Sequence, residues 1–146
     1  VLQYYVDRTT FDERDTLFFT LEGIERFAAT GILDDLPPEL IGPVSREDRY
    51  AMLRECYDLM LDGKLRLYIV NDRFPKLTPF FTLYSDEVRL WITDQRFEGG
   101  YDTLNVTDHL VVQMFRAFCT GLPNSEFVYS DAEAREQWER ILDQLK

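Results

Sequence analysis

The chain has 146 residues, of which 45% are hydrophobic and 29% are charged, and its formal net charge is -11. This length and composition predict one globular domain with a core of its own. The acidic balance opposes direct binding to nucleic acid, which requires cations that displace counterions from phosphate, and no apolar run reaches the roughly 18 residues of a membrane span.

The acidic residues are unevenly distributed. Residues 1–48 carry 11 acidic and four basic residues, residues 49–94 carry seven of each, and residues 95–146 carry nine and five. Solubility is the simplest explanation of the excess, and a contact of the acidic first third with a basic partner is the alternative. Because position 1 is valine, we interpret residues 1–146 as a single domain excised from a longer protein.

The first third of the chain predicts a short strand followed by a helix. Residues 1–6 are strand-like, and residues 16–30 place apolar side chains at helical spacing before Gly31, a suitable helix stop. Three prolines and a glycine predict a loop over residues 34–44. The inward positions of this helix are Leu17, Leu21, Ile24, Phe27 and Ala28.

A second helix is predicted to begin after Ser45. Asp48 stands at its third position, a variant of the capping box, and Asp62-Gly63 ends it. Its inner stripe is Tyr50, Leu53, Tyr57, Met60 and Leu61.

Three strands are predicted to follow, at residues 64–70, 80–84 and 87–93. The tight turn at Ser85-Asp86 joins the second and third strands into an antiparallel hairpin. Residues 101–106 add a possible edge strand.

The last third predicts two helices. Thr107 is expected to cap the first, and Ser130 with Glu133 forms a capping box for the second. The inward stripes are Leu110, Val111, Met114, Phe115, Phe118 and Cys119 in the first, and Ala134, Trp138, Ile141, Leu142 and Leu145 in the second. The element order predicts an α+β fold, in which about four helices pack on a small, mostly antiparallel sheet of three to five strands.

Strand alternation sorts the residues between Lys64 and Thr93 onto two faces. The apolar face collects Leu65, Leu67, Ile69, Phe81, Leu83, Val88, Leu90 and Ile92. The mixed face collects Arg66, Tyr68, Phe80, Thr82, Tyr84, Arg89 and Trp91. The first face is a core face, whereas the second combines aromatic rings and cations in an acidic chain.

The mixed face predicts a binding surface. Rings and guanidinium groups together suit planar or anionic ligands, so Arg66, Tyr68, Arg89 and Trp91 are the predicted site for a ligand or partner. Their convergence requires the first strand to pair with the hairpin. The alternative is that a helix covers this face too, with the arginines paired to acids at its border.

No motif of an enzyme, a metal site or a cofactor site is evident. The single histidine, His109, lies near a helix start without a framed nucleophile. Glu22 and Glu25 lie three residues apart, but a solvated helix face explains them better. Cys56 and Cys119 form neither a disulfide framework nor a zinc site, which favours a reducing cytoplasm.

Part of the chain resembles a known family. The strand KLRLYIVND, the hairpin FFTLYSDEVRLWITD and the stretch GGYDTLNVTDHLVVQMFRAF, within residues 64–120, resemble the C-terminal regions of bacterial helix-turn-helix regulators of the lambda-repressor-like (XRE) class. The resemblance implies a regulatory domain attached to a DNA-binding domain that this chain does not contain. It carries over no functional residue.

The sequence therefore predicts a non-catalytic, cytoplasmic sensing or dimerisation domain of a bacterial transcriptional regulator. Its expected partners are a second copy of itself, an attached DNA-binding domain and a planar or anionic small effector, without direct contact to nucleic acid or membrane. The surplus of aromatic residues motivates the homodimer. The alternatives are a protein interaction scaffold without a ligand, and an enzyme whose site is assembled from scattered acids and His109.

Overall fold

The structure, a computed structural model, describes residues 2–4, 16–32, 42–74, 80–84, 86–93 and 101–146. Its strands are β1 (Leu2–Tyr4), β2 (Thr16–Thr20), β3 (Arg66–Val70), β4 (Phe80–Leu83), β5 (Val88–Thr93) and β6 (Tyr101–Val106). Its helices are α1 (Leu21–Thr30), α2 (Arg46–Leu61), α3 (His109–Gly121) and α4 (Asp131–Leu145), with a 3-10 turn at Leu122–Asn124. Most of the predicted loop at 34–44, the turn residue Ser85 and the side chains of Phe80, Trp91 and Ile92 lie outside the described residues.

The predicted α+β class is confirmed, but the predicted size of the sheet is wrong. Six strands lie in the order β3-β2-β1-β4-β5-β6. The parallel pair β2–β3 is joined through the short β1 to the antiparallel meander β4–β5–β6. The hairpin β4–β5 and the edge strand β6 are confirmed. Strand β3, the first of the three strands predicted between residues 64 and 93, does not pair with the hairpin, because β2 and β1 lie between them.

The largest error in the first third is the start of α1. Residues 16–30 were expected to be one helix, but Thr16–Thr20 is a strand in which Phe18 is buried. The β-branched and aromatic run Thr-Leu-Phe-Phe-Thr favours a strand, although Leu17 also fits the helical spacing of Leu21. Thr20 then caps α1 by accepting a hydrogen bond from the Gly23 amide at 3.0 Å.

Several predicted helix boundaries are confirmed by their hydrogen bonds. Gly31 ends α1 at φ 72°, a conformation that favours glycine. Ser45 caps α2, accepting from the Asp48 amide at 3.1 Å. Ser130 and Glu133 form the reciprocal capping box of α4. The N-cap of α3 is Asp108 rather than the predicted Thr107, because the Asp108 carboxylate accepts from two amides of the first turn.

The helices cover the two faces of the sheet at opposite ends. Helices α1, α2 and α4 pack on one face, over Leu67 and Ile69 of β3, and all five predicted inward residues of α4 are buried there. Helix α3 packs on the other face, over β4 and β5. Of the predicted α2 stripe, Leu53 and Tyr57 are buried, whereas Leu61 is exposed and its prediction is wrong.

The predicted inner stripe of α3 is wrong at three of its positions. Leu110, Met114 and Phe118 are 73%, 70% and 43% exposed, whereas Val112 and Cys119 are buried against the sheet. Apolar residues cover more than half of the circumference of this helix, so helical spacing alone does not select the buried face. Among the helices of the described segments, none is long and apolar enough to cross a membrane.

Candidate functional site

The four residues predicted to form one site lie on two faces of the sheet. Arg66 and Tyr68 of β3 are in register with Thr16 and Phe18 of β2, on the face that α3 covers at the far end of the sheet. The rings of Phe18 and Tyr68 stack with their centroids 5.4 Å apart and their planes at 22°. Tyr68 is therefore half-buried against a fixed neighbour.

Arg89 lies on the opposite face. Arg89 pairs in register with Thr82 of β4, and Thr82 pairs with Gln3 of β1. Gln3 in turn pairs with Leu17 of β2, and Leu17 with Leu67 of β3. Leu67 packs under α1, α2 and α4. Arg89 thus lies on the same face of the sheet as Leu67. Arg66 and Tyr68, which flank Leu67 in β3, lie on the other face. Trp91 is two residues further along β5, with its side chain outside the described residues. The predicted four-residue site is not brought together.

The side chain of Arg89 is occupied by local contacts. It forms an ion pair with Glu87 at 2.8 Å and donates from Nε to the Asn105 side chain at 3.1 Å. Its guanidinium group also lies 5.1 Å from the centroid of the Tyr84 ring. These contacts tie the strands and turn of the meander together, which is the structural alternative that the sequence left open for this arginine.

Arg66 and Tyr68 line a cleft of about 250 Å³ at the outer edge of β3. The cleft lies between this strand, the end of α2 and the first turns of α4. Its lining residues are Met60, Gly63, Leu65, Arg66, Leu67, Tyr68, Tyr129, Asp131, Ala134 and Arg135. Two of the four predicted residues thus line a concave surface, and Arg89 does not.

The cleft exists because the outer edge of β3 is covered at one end only. Tyr129 donates its amide to the Ile69 carbonyl at 2.9 Å, and Asn71 donates to the Phe127 carbonyl at 2.8 Å. The chain then turns away at Ser130 to begin α4. Because alternate residues of a strand direct their backbone groups to the same edge, Leu67 directs its amide and carbonyl to the outer edge, beside the cleft.

The lining combines cations, rings and an apolar floor. Arg66 and Arg135 face a single acidic lining residue, Asp131, in a chain whose net charge is strongly negative. Leu67 and Ala134 are each 5% exposed and form an apolar floor. Guanidinium groups bind carboxylate or phosphate with paired hydrogen bonds, and the phenol rings of the lining offer stacking surfaces.

The α4 wall of the cleft is held by contacts along its whole length. Tyr57 of α2 donates to the Glu139 carboxylate at 2.8 Å, and Arg46 donates to the carbonyls of Leu145 and Gln144, each at 3.1 Å. Burial, reinforced by the bond to Glu139, raises the pKa of the Tyr57 phenol, so it stays a donor at neutral pH. A wall fixed in this way presents Arg135 on a rigid element.

Trp138 packs one turn beyond Ala134 and anchors α4 in the core. Its ring lies 6.3 Å from that of Tyr57, and it is 1% exposed. Its indole N–H is buried without a hydrogen-bond partner among the residues that the structure describes. An unsatisfied buried donor costs free energy. Trp138 therefore stabilises the core through the apolar area that its ring buries and not through a hydrogen bond.

Sequence reasoning missed Tyr129 and Arg135. Tyr129 immediately precedes the α4 capping box, and Arg135 stands on the exposed side of that helix. Neither position departs from the pattern of an ordinary capped amphipathic helix, so no signal in the sequence separates them from solvated neighbours. Only the return of residues 126–129 along β3 brings them to Arg66.

The remaining chemical candidates are dispersed. His109 is exposed at the start of α3, and Glu22 and Glu25 pair with Arg26 and Arg140. Within the described ranges no group of three or more His, Cys, Asp or Glu residues could hold a metal ion.

Both cysteines have raised pKa values. Burial raises the pKa of the Cys119 thiol to about 12, and burial with the nearby Glu55 also raises that of Cys56. A thiol of raised pKa is a poor nucleophile at neutral pH.

Comparison of this chain with protein-family models, with curated proteins and with solved structures finds no match.

Proposed function

We propose that this chain is a non-catalytic sensing domain that binds a small planar anion in the β3 cleft. The observation that carries the proposal is the lining of the cleft, where Arg66 and Arg135 stand with Tyr68 and Tyr129 around an apolar floor. In a chain of net charge -11, a concave site with more cationic than anionic side chains favours an anionic ligand.

The size of the cleft limits the ligand. A drug-sized molecule needs roughly 300–1,000 Å³, and this cleft has about 250 Å³. A single ring bearing one carboxylate fits that volume. At about 0.5 kcal/mol for each of about ten non-hydrogen atoms, such a ligand binds with a free energy of about 5 kcal/mol, or a Kd near 0.2 mM.

The cellular role follows from the sequence resemblance. In this proposal the domain is cytoplasmic, is attached to a DNA-binding domain of a bacterial transcriptional regulator, and changes the geometry of that domain when the effector binds. The closed end of the β3 edge supports this role, because residues 126–129 connect the cleft to both α3 and α4. A ligand that bridges β3 and α4 therefore acts on two elements that lie far apart in sequence.

The test uses 4-hydroxybenzoate as the probe, followed by NMR chemical-shift titration of the labelled domain. We expect saturable shifts for residues of β3 and the start of α4. Arg66→Gln and Arg135→Gln should each weaken binding by roughly tenfold, because a hydrogen bond to a charged group contributes about 1.5–3 kcal/mol. The neutral analogue 4-hydroxybenzamide should bind more weakly than the carboxylate.

Arg89→Gln is the matched control. It removes a sheet arginine of similar exposure from the opposite face, so binding of the probe should not change. Shifts that are absent at β3, or binding that depends on Arg89 and not on Arg66, would contradict the cleft as the effector site. The regulatory role is tested separately, by the binding of the full-length protein to its own promoter with and without the probe.

The interaction scaffold without a ligand is the second candidate function. The observation that favours it is the row of exposed apolar side chains on α3. Failure of the probe and its analogues to bind the cleft would leave this second role.

A further inference from the structure

Helix α3 exposes a row of three large apolar side chains. Leu110, Met114 and Phe118 follow one another at intervals of four residues, so they lie along one side of the helix over roughly 12 Å. They are 73%, 70% and 43% exposed. Leu110 and Met114 lie away from the sheet, whereas Phe118 borders it, with its ring centroid 6.5 Å from that of Phe81 and 6.3 Å from that of Phe74. Packing in the core therefore does not explain the exposed side chains of Leu110 and Met114.

Leu104 is a fourth exposed apolar residue on this side of the molecule. It is 51% exposed on β6, and its register with Leu90, and through Leu90 with Phe81, places it on the face of the sheet that α3 covers. Four large apolar side chains are thus exposed on one side of the molecule. Several large apolar side chains exposed on one side of a protein are typical of an interaction site.

The charge of this surface differs from that of the rest of the chain. Of the four described helices, α3 alone contains no acidic residue, whereas α2 contains four and α4 contains five. A basic partner would be attracted to those acidic helices instead. A convex, uncharged ridge on an acidic molecule is the surface on which two identical molecules approach with the least repulsion.

We propose that α3 forms a two-fold interface with a second copy of this chain. The row is self-complementary: in an antiparallel pair with the axis at Met114, Leu110 of each copy meets Phe118 of the other. Such an isologous contact closes on itself and does not lead to a filament.

The expected dimer is weak. A stable interface buries about 800 Å² on each partner, and the row with Leu104 supplies only its apolar centre. We therefore expect a Kd in the micromolar range and a monomer–dimer equilibrium that depends on concentration. Sedimentation equilibrium between about 1 µM and 1 mM should show the mass rising from that of a monomer towards that of a dimer.

The decisive variant is Met114→Glu, which places two like charges at the two-fold axis. It should weaken self-association at least tenfold, and Met114→Lys should do the same. Met52→Glu is the matched control, because Met52 is 43% exposed on α2, away from the row; this variant should associate as the unchanged chain does. Circular dichroism checks that each variant is folded.

Mixing the two Met114 variants tests whether the partner is a second copy. If position 114 meets position 114, the Glu and Lys variants should associate with one another while each alone stays monomeric. A monomeric mass for the unchanged chain at every concentration would overturn the proposal and leave this row for a different partner. An unchanged dimer in Met114→Glu, or no association in the mixture, would overturn it as well. None of these outcomes bears on the β3 cleft.

Discussion

The β3 edge and the α3 side differ in how much of the sheet their helices leave uncovered. At β3, three helices cover one face and residues 126–129 close part of the edge, which leaves a concave cleft with cations and rings around it. At α3, one helix covers the other face and exposes a convex apolar row. A concave site can enclose a small molecule, whereas a convex ridge needs a partner shaped to it.

The comparison also separates two kinds of arginine. Arg66 lines a cleft, and Arg89 is engaged by Glu87, Asn105 and Tyr84. Strand alternation in the sequence predicted that both arginines lie on the same face of the sheet. Their different surroundings show that a shared residue type on neighbouring strands does not imply a shared site when other strands lie between them.

The largest expected effect is at the α4 wall of the β3 cleft. Trp138→Ala should reduce the free energy of unfolding by about 3–5 kcal/mol, because it removes a buried aromatic side chain. Urea unfolding followed by circular dichroism measures the loss. Trp138→Phe should cost much less, since it keeps most of the packing and removes an indole N–H that has no partner. A loss below about 1 kcal/mol for the alanine variant would place Trp138 at the surface and contradict the fold.

The two sides of α3 should differ in the same experiment. Phe115→Ala should cost about 2–3 kcal/mol, because Phe115 packs edge to face on Phe81 with the ring centroids 4.8 Å apart. Met114→Ala, on the outward row, should change the stability of the monomer by no more than about 0.5 kcal/mol. Equal losses at both positions would mean that the row is part of the core.

The cysteines report on the two cores separately. Cys119 is 3% exposed on the sheet-facing side of α3, and with a pKa of about 12 only about one thiol in ten thousand is ionised at pH 8. Cys56 on α2 is half-buried. We expect an aromatic disulfide reagent to label Cys56 first in the native protein and Cys119 only after unfolding. Rapid native labelling of Cys119 would show that α3 detaches from the sheet.

Arg89→Ala tests whether the meander arginine is structural. The ion pair with Glu87 is partly exposed, so its loss should cost about 1 kcal/mol or less. The variant should bind 4-hydroxybenzoate as the unchanged chain does, because the cleft lies at the other end of the sheet. A stability change with unchanged binding assigns Arg89 to the fold, whereas weakened binding would reconnect the two regions.

The smallest expected effect is the acid sensitivity of α4. Hydrogen bonds from the Ser130 backbone and side chain hold the pKa of Glu133 below its ordinary value of 4.5. A lowered folded-state pKa stabilises the protein above the unfolded pKa, and this contribution is lost as the pH falls through the folded value. Between pH 5 and pH 3, the melting temperature of the unchanged chain should therefore fall slightly more than that of Glu133→Gln. Parallel curves would contradict the capping contribution.

Local signals in the sequence predicted the parts of the fold that local contacts stabilise. Ser130 and Glu133 predicted the start of α4, because both partners of a capping box lie within one turn. Gly31 predicted the end of α1, because few other residues adopt a positive φ. The hairpin β4–β5 was predicted from two strand-like runs separated by a short turn.

The errors arise where local signals allowed two structures. Thr16–Thr20 fits both a strand and a helix extension, and its pairing with β3 selected the strand. The apolar residues of α3 cover more than half of its circumference, and packing on Phe81 selected the face that holds Phe115. The candidate site shows the same ambiguity. Strand alternation grouped Arg66 with Arg89, but it does not determine the order of the strands in the sheet.

The sequence by itself therefore determined the α+β class, the capped helices and the alternation of β3, β4 and β5, because each depends on residues that are close in the chain. Only the tertiary structure decided that β1 and β2 separate β3 from the hairpin, that Arg66 lines one cleft with Arg135 and Tyr129, and that Met114 faces outward. These relations depend on contacts between distant segments. Such contacts are selected by the burial of whole faces and the pairing of strand edges, which no local pattern records.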